Sequence, residues 1–432
     1  MRFHPSEEQV AIQEAVKGTL ADVWSIQQLH TFADGAADFD PASWKALMAL
    51  GIGTLTLPED MAGAGLGLLD AALVCESIGE AAAPGPVIGQ IITAMAVTAS
   101  DNPEARRFLP QIAENEVVAT LALGSGLVQS ARVAQLFLAD APDGGLLLIE
   151  AGEGVTIEPL TPTDLSRPVS RVSFEGAKSH RLCGGGDPLT ARIRDAALVL
   201  IAADALGGAQ RVTDMSVTYA KERVQFGQPI GRFQGLKHQL AHMALDVESA
   251  RALVWYAAYA WDAHLQDASR AAALAKAHLC EVYTRATRAA IAAHGGIGYT
   301  WEYGLNYWFR RSVYDRAWLG SPAHHRARGP SWQAGDDQFA PTDPGSSADA
   351  PGRPLYGPIG NRRFANARWG VAGAGGSGGG KEATCFGVSS PTEGAAPRYS
   401  DPGATGARAR RLRFRCLGGR RLAGPGCARR VR

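Results

Sequence analysis

Apolar positions in the first quarter of the chain recur at helical spacing. Ile12, Val16, Leu20 and Val23 share one face, and Ser6 with Gln9 ahead of them forms a capping-box pattern, which predicts a helix start. Asp40-Pro41 opens a second helix in the cap-then-proline order, and Gly51 closes it. Another runs from about Leu68 to Glu80 and is stopped by Pro84-Gly85-Pro86. A further one, from Pro103 to Glu114, carries Leu109 and Ile112 on one side. Together these predict an N-terminal α-helical domain over residues 1–115.

The period then changes. Val133–Ala139 and Leu146–Ile149 flank Asp143-Gly144-Gly145, a hairpin signal, and Val155–Ile157 and Val169–Phe174 alternate or are β-branched. Residues 116–187 therefore read as a small antiparallel β domain. Helical patterns return from about residue 190 to 318, broken at Gly227–Gly235, Asp267–Ser269 and His294–Tyr299, which predicts a four-helix bundle over 188–328. Residues 329–432 are rich in Gly, Pro, Ser and Arg without sustained periodicity, so they are expected to be a disordered tail. The fold class is multidomain α and β, with no internal repeat.

Length and charge narrow the function. At 432 residues two or three domains fit, and the formal net charge of +1 conceals an Arg-biased end on an acidic body. An acidic body argues against a nucleic-acid-binding core. Ten arginines and no acid fall between Arg408 and Arg432; this abrupt switch fits a reading-frame change or inert extension better than a binding tail. Six cysteines (Cys75, Cys183, Cys280, Cys385, Cys416 and Cys427) are scattered without paired spacing, which predicts free thiols and no metal site. With no signal-peptide pattern and no apolar run near the ~20 residues that span a bilayer, a cytoplasmic protein without a membrane span is expected.

Chemistry concentrates in Tyr219–Gln234 and His294–Tyr299. Arg223 and Phe226, three apart at a helix end, offer a guanidinium fork for pyrophosphate oxygens and an aromatic wall. Gln225 and Gln234 supply amide hydrogen bonds without charge. Gly295, Gly296 and Gly298 remove β-carbons where a backbone passes close to a ligand or a neighbouring helix.

With Gly227, Ile230 and Phe233, these residues resemble the R-x-x-F-G-x-x-I-x-x-F-Q segment and glycine turn of the acyl-CoA dehydrogenases. Leu57–Leu68, Leu109–Ile112, Arg167–Gly176 and Trp301–Tyr303 match as well, so the likeness spans most of residues 1–328. The resemblance implies FAD held across a subunit contact by Arg223, Gln225, Phe226, Ile230, Gln234, Gly295, Gly296 and Gly298. It also implies an acyl-CoA substrate oxidised to the trans-2-enoyl-CoA, an electron-transfer acceptor, and an oligomer.

Two features depart from that pattern. The family's general base, a Glu shortly after the fourth bundle helix or early in the first, is missing: Trp318–His325 holds no acid, and the other position is Ala197. Asp204 is the nearest acid on a similar face, seven residues on. Its reading as a substitute base competes with that of a paired helix Asp. His324 and His325 read as a solvated turn. Second, Ala119–Gly126 passes almost directly to the hairpin, so a flavin-contacting loop and part of a strand are missing. The pattern resembles the base-lacking chain of heteromeric acyl-CoA dehydrogenases of actinobacterial steroid side-chain degradation, which implies a heterotetramer with a base-bearing homologous chain. Gly63, Ala64, Gly65 and Gly67 are compatible with an open acyl pocket. The competing readings are an FAD-dependent dehydrogenase, a non-catalytic subunit of one, and a degraded relative with neither flavin nor activity.

Overall fold

Ser6 caps α1 (Glu7–Val23) as its spacing predicts: its hydroxyl accepts from the Gln9 N–H, and the Gln9 amide oxygen accepts from the Ser6 N–H. The computed structural model describes residues 4–327 apart from Ala36, Ala62, Ser125 and Gly126, and these lie in one compact unit. A second capping box, Ser25 with Gln28, starts α2 (Ile26–Asp34), and Asp40 caps α3 (Pro41–Met48). Two longer helices follow, α4 (Leu68–Ala81) and α5 (Val87–Ala99). Periodicity could not reveal α5, because Val87 to Val97 are buried on every side and leave no polar face. The single helix expected over 103–114 is two, α6 (Pro103–Arg106) and α7 (Leu109–Ala113). Pro110 lacks the N–H that would bond back to Arg106, and its ring crowds that turn.

The middle region forms two sheets from β1 (Ala119–Ala122), β2 (Leu127–Gln129), β3 (Leu136–Asp140), β4 (Leu146–Glu150), β5 (Thr156–Leu160), β6 (Val169–Ser173) and β7 (Ser179–Cys183). Their orders are β1-β3-β4-β7 and β2-β6-β5. The expected hairpin is β3–β4, with Leu138 opposite Leu148. Pairing is antiparallel apart from β1 and β3, which run parallel with Ala119 opposite Leu136. The shortened segment leaves β2 only three residues long and sends it to the second sheet, on β6. Helix α5 lies against β1: the Gln90 amide accepts from the Ala119 N–H at 2.7 Å, and a β-carbon on Gly89 would stand 2.8 Å from the Thr120 Cα. A helix thus backs β1, next to the segment where a loop and part of a strand were expected to be missing.

The chain then enters α8 (Pro188–Glu222), a two-stranded hairpin of β8 (Val224–Gln225) and β9 (Gln228–Pro229), α9 (Gln234–Asp262), α10 (Ala268–His294), α11 (Leu305–Ala317) and α12 (Pro322–Ala327). Helix α8 runs through the centre of this cluster on small residues. A β-carbon on Gly207 would strike the Glu76 carbonyl of α4, one on Gly79 would strike that of Asp204, and Gly208 leaves room for the Tyr283 ring of α10. Asp262, from α9, accepts from the Leu68 and Leu69 N–H groups at 2.8 and 3.1 Å and so caps α4. A β-carbon on Gly67 would meet that carboxylate at 2.7 Å, and one on Gly63 would strike the Leu57 carbonyl. These two glycines serve close packing, not the open acyl pocket with which they looked compatible. Cys75, Cys183 and Cys280 are free and buried, as expected. The other three cysteines and the tail from residue 329 lie outside the described residues. Among those described, no helix is long and apolar enough to cross a membrane.

Candidate functional site: an outward-facing clasp and a buried charge network

Two motifs 60 residues or more apart in sequence meet at one end of the helix cluster. Tyr219, in the last turn of α8, stacks on His294, the last residue of α10, with ring centroids 4.5 Å apart. The Gln239 amide of α9 donates to the Ala289 carbonyl of α10 at 2.9 Å. His294 is 3 % exposed, and burial lowers its pKa, so the ring is neutral. Its Nδ1–H donates to the Ala290 carbonyl at 2.7 Å, which leaves Nε2 to accept from the Tyr303 hydroxyl at 3.0 Å. This fixed ring holds the start of the glycine turn beside the end of α8.

From that anchor the predicted residues project outward. Arg223 terminates α8 with its N–H on the Tyr219 carbonyl at 2.8 Å, and among the described residues no acid pairs with its guanidinium. Gln225 and Gln234 are exposed, and the Gln225 amide reaches only the Val224 carbonyl beside it. Ile230 is half-buried and packs on the core, so it supports the hairpin from below. Phe226 is 91 % exposed, with only the Phe233 ring edge-on at 5.9 Å. Phe226 and Gly227 form a two-residue loop with φ of 52° and 77°. Gly295 has φ 63° and ψ −138°, a conformation essentially reserved for glycine. A β-carbon at Gly296 would meet nothing within 4 Å, whereas one at Gly298 would lie 2.7 Å from the Ile291 carbonyl. Gly296 is therefore open to a ligand, and Gly298 is small because α10 packs on it.

This donor set fits the phosphate-bearing half of a dinucleotide: an uncommitted fork, an uncovered ring and a bare backbone on one surface. Among the described residues no group of three or more His, Cys, Asp and Glu side chains is placed to hold a metal.

Inside the cluster lies a feature that sequence reasoning missed. Arg167, from the loop before β6, and Arg311, from α11, are 2 % and 1 % exposed. Both converge on Asp204 of α8: Arg167 Nη2 at 2.8 Å and Arg311 Nε at 2.9 Å. Arg167 also pairs with Asp315 of α11, and Asp164 stands 4.0 Å away. Arg311 donates further to the Ser166 hydroxyl at 2.9 Å. Burial opposes ionisation of Asp204, but the two guanidiniums outweigh it and hold its pKa at about 2. The reading of Asp204 as a substitute base is thereby overturned, since its lone pairs are already committed to two cations. Asp315 contacts Arg167, but burial, helped by the neighbouring Asp204 carboxylate, dominates and pushes its carboxyl up to about 7.

The stretch after α11, where the resemblance would place a base, is pinned from beneath. Lys276, fully buried on α10, donates to the carbonyls of Asp315 at 2.6 Å and Gly320 at 3.4 Å. Leu319 has φ 53°, and its carbonyl accepts from His325 Nε2 at 3.1 Å. His325 is 2 % exposed, so the expectation of a solvated histidine pair is wrong for it; His324 alone is exposed. Position 197 is a buried alanine. The signal for the network was available: a lone Lys276 in an alanine-rich stretch, and Arg311 one turn ahead of Asp315 on the same helix face.

Comparison with known proteins agrees with this architecture. The profile for "Acyl-CoA dehydrogenase, N-terminal domain" matches residues 6–116, and that for "Acyl-CoA dehydrogenase, C-terminal domain" matches residues 196–328. The chain is 32 % identical over 324 residues to the acyl-CoA dehydrogenase IpdE2 of Mycolicibacterium smegmatis, covering 75 % of this chain and 98 % of the relative. Among solved structures, the steroid ACAD variant Tcur3481-Tcur3483 superposes with a TM-score of 0.70 at 26 % identity, covering 76 % of this chain and 98 % of that one. A chain of the ChsE4-ChsE5 complex from Mycobacterium tuberculosis gives 0.69 at 23 % identity, covering 78 % and 99 %, a likeness of fold alone.

Proposed function

Since this chain belongs to the acyl-CoA dehydrogenase family, we propose that it serves FAD-dependent α,β-dehydrogenation of an acyl-CoA thioester to the trans-2-enoyl-CoA as the base-lacking member of a two-chain enzyme. In this reading Arg223, Gln225, Phe226, Gln234 and Gly296 hold the adenylate half of an FAD whose ring lies in a homologous partner. Ile230, Gly295 and Gly298 set the clasp's shape. When bound, FAD supplies the acceptor for the β hydride. The α proton goes to a carboxylate of the partner, because this chain has committed Asp204 to Arg167 and Arg311 and buried His325 against Leu319.

The observation that carries the reading is the clasp itself, assembled by the Tyr219–His294 stack, with Arg223 meeting no acid among the described residues and Phe226 91 % exposed. Among the described residues nothing covers these groups, which leaves them available to a ligand or partner. The two-chain names of the Tcur3481-Tcur3483 and ChsE4-ChsE5 structures support a paired assembly. The steroid ACAD description of Tcur3481-Tcur3483 favours a steroid-type acyl thioester as the substrate class, and in this reading an electron-transfer protein is the acceptor.

The test is flavin content per chain, measured by absorbance, for the protein purified alone and co-expressed with a base-bearing homologue. Co-expression should yield bound FAD and acyl-CoA-dependent bleaching of the flavin. Arg223→Ala should lower flavin retention about 10-fold or more, the scale of one charged hydrogen bond. Full turnover by the chain alone would sink the proposal.

A further inference from the structure

Where the start of α1 meets α4 and α9 lies a cavity of about 410 Å³, which shares no residue with the clasp or with the charge network. Leu69 and Leu73, four apart on α4, give it an apolar floor. Trp255 and Tyr259, four apart on α9, bring two aromatic rings to one face of that helix. Its polar groups divide into two sets. Ser6 and Gln9 are committed to each other in the cap, and the Gln9 amide also donates to Asp70 at 2.9 Å. Glu8, in the first turn of α1, is exposed, and among the described residues its carboxylate meets no cation and no donor. The Trp255 Nε1–H is buried without a hydrogen-bond partner. An acceptor seated against it would relieve the cost of leaving a buried donor unpaired. Among the described residues that line the cavity there is no lysine or arginine.

These groups select a ligand by charge and by surface. An uncommitted carboxylate beside two aromatic faces favours a cation, because the ring faces carry negative potential. The leucine floor favours a cation whose nitrogen carries methyl groups, since N–H donors would find no acceptor there. The volume lies within the roughly 300–1,000 Å³ range of small-molecule sites. We propose that this cavity binds a small methylated ammonium compound of the choline type. Its nitrogen lies against the Trp255 and Tyr259 rings and faces Glu8, and its oxygen accepts from the Trp255 Nε1–H. Nothing in the proposed dehydrogenation calls on these residues, so the site stands apart from it.

Isothermal titration of the full chain with choline, tetramethylammonium and dimethylbutanol, the neutral carbon isostere of choline, tests this. Choline should bind and the isostere should not. Tetramethylammonium offers no acceptor, so it should bind more weakly than choline. Trp255→Leu should weaken choline about 5-fold or more, the scale of a cation held on an aromatic face. Glu8→Gln should weaken it about 2-fold or more, the scale of an exposed charge pair. Trp255→Phe keeps a ring without the donor, so it should bring choline towards the affinity of tetramethylammonium. Unfolding midpoints show whether each variant is folded; Glu8 is exposed, so its variant keeps the test open. No choline binding at millimolar concentration overturns the proposal. The isostere binding as tightly as choline, or a choline affinity that Glu8→Gln leaves unchanged, overturns it too.

Discussion

Replacing Asp204 by alanine would strand a buried cation. Arg167 would keep Asp315 and the more distant Asp164, but Arg311 would keep only the Ser166 hydroxyl and the Ala83 carbonyl, with no carboxylate in contact. At 1 % exposure Arg311 cannot recover the loss by turning to water. Breaking one side of a buried pair costs about 3–5 kcal/mol, a large share of the roughly 5–15 kcal/mol that holds a protein folded. With a urea slope of about 3 kcal/mol/M the midpoint falls by about 1 M or more. The assay is urea unfolding followed by circular dichroism at one fixed protein concentration, since assembly shifts apparent stability. Adding Arg311→Met to Asp204→Ala should restore part of the loss by removing the orphaned charge. An unchanged Asp204→Ala midpoint, together with lost turnover in the partnered enzyme, would refute this account and return Asp204 to the chemistry.

Asp315 carries a pH signature of the opposite sense. Burial, only partly offset by Arg167, raises its carboxyl to about 7, so the folded chain holds this proton more tightly than the unfolded one. Its contribution to stability is complete below pH ~4 and is lost as pH rises towards 7; Asp315→Asn should flatten the thermal midpoint across that window. Asp204, lowered to about 2, instead loses its contribution as pH falls below ~4, so acid unfolding should begin there. Gly207→Ala drives a methyl group into the Glu76 carbonyl between α8 and α4 and should cost about 1–3 kcal/mol or more in urea unfolding. Gly296→Ala meets no atom within 4 Å, so it should leave the midpoint unchanged while lowering flavin retention in the co-expressed complex.

What was legible in the sequence was whatever left a local mark. Ser6 and Gln9 announce a helix start because both partners of the cap are side chains three residues apart. Asp143-Gly144-Gly145 announces a hairpin because only certain residues make that turn. Helix α5 left no mark, having no polar face, and the parallel β1–β3 pair left none because register is settled by tertiary neighbours. At the candidate site the clasp residues could be picked out as a motif. The resemblance also implied that they act together, but the contact that joins the two motifs, Tyr219 on His294, could not be read, because both are ordinary aromatic rings until the helices bring them together. The charge network left only partial marks, the Arg311–Asp315 spacing and a lone Lys276: Asp204, Arg167 and Arg311 with Asp315 come from three separate stretches, and only the fold pairs them.

The loop at Phe226 and Gly227 sets local comfort against use. A two-residue hairpin loop with both φ angles positive suits Asn-Gly, and a bulky aromatic at its first position is strained by about 1 kcal/mol or more. Phe226→Asn should therefore make the isolated chain sturdier and the assembled enzyme poorer, two readouts moving in opposite directions from one substitution. A screen that ranked variants by heat resistance alone would select against the ring that this hairpin holds out into solvent.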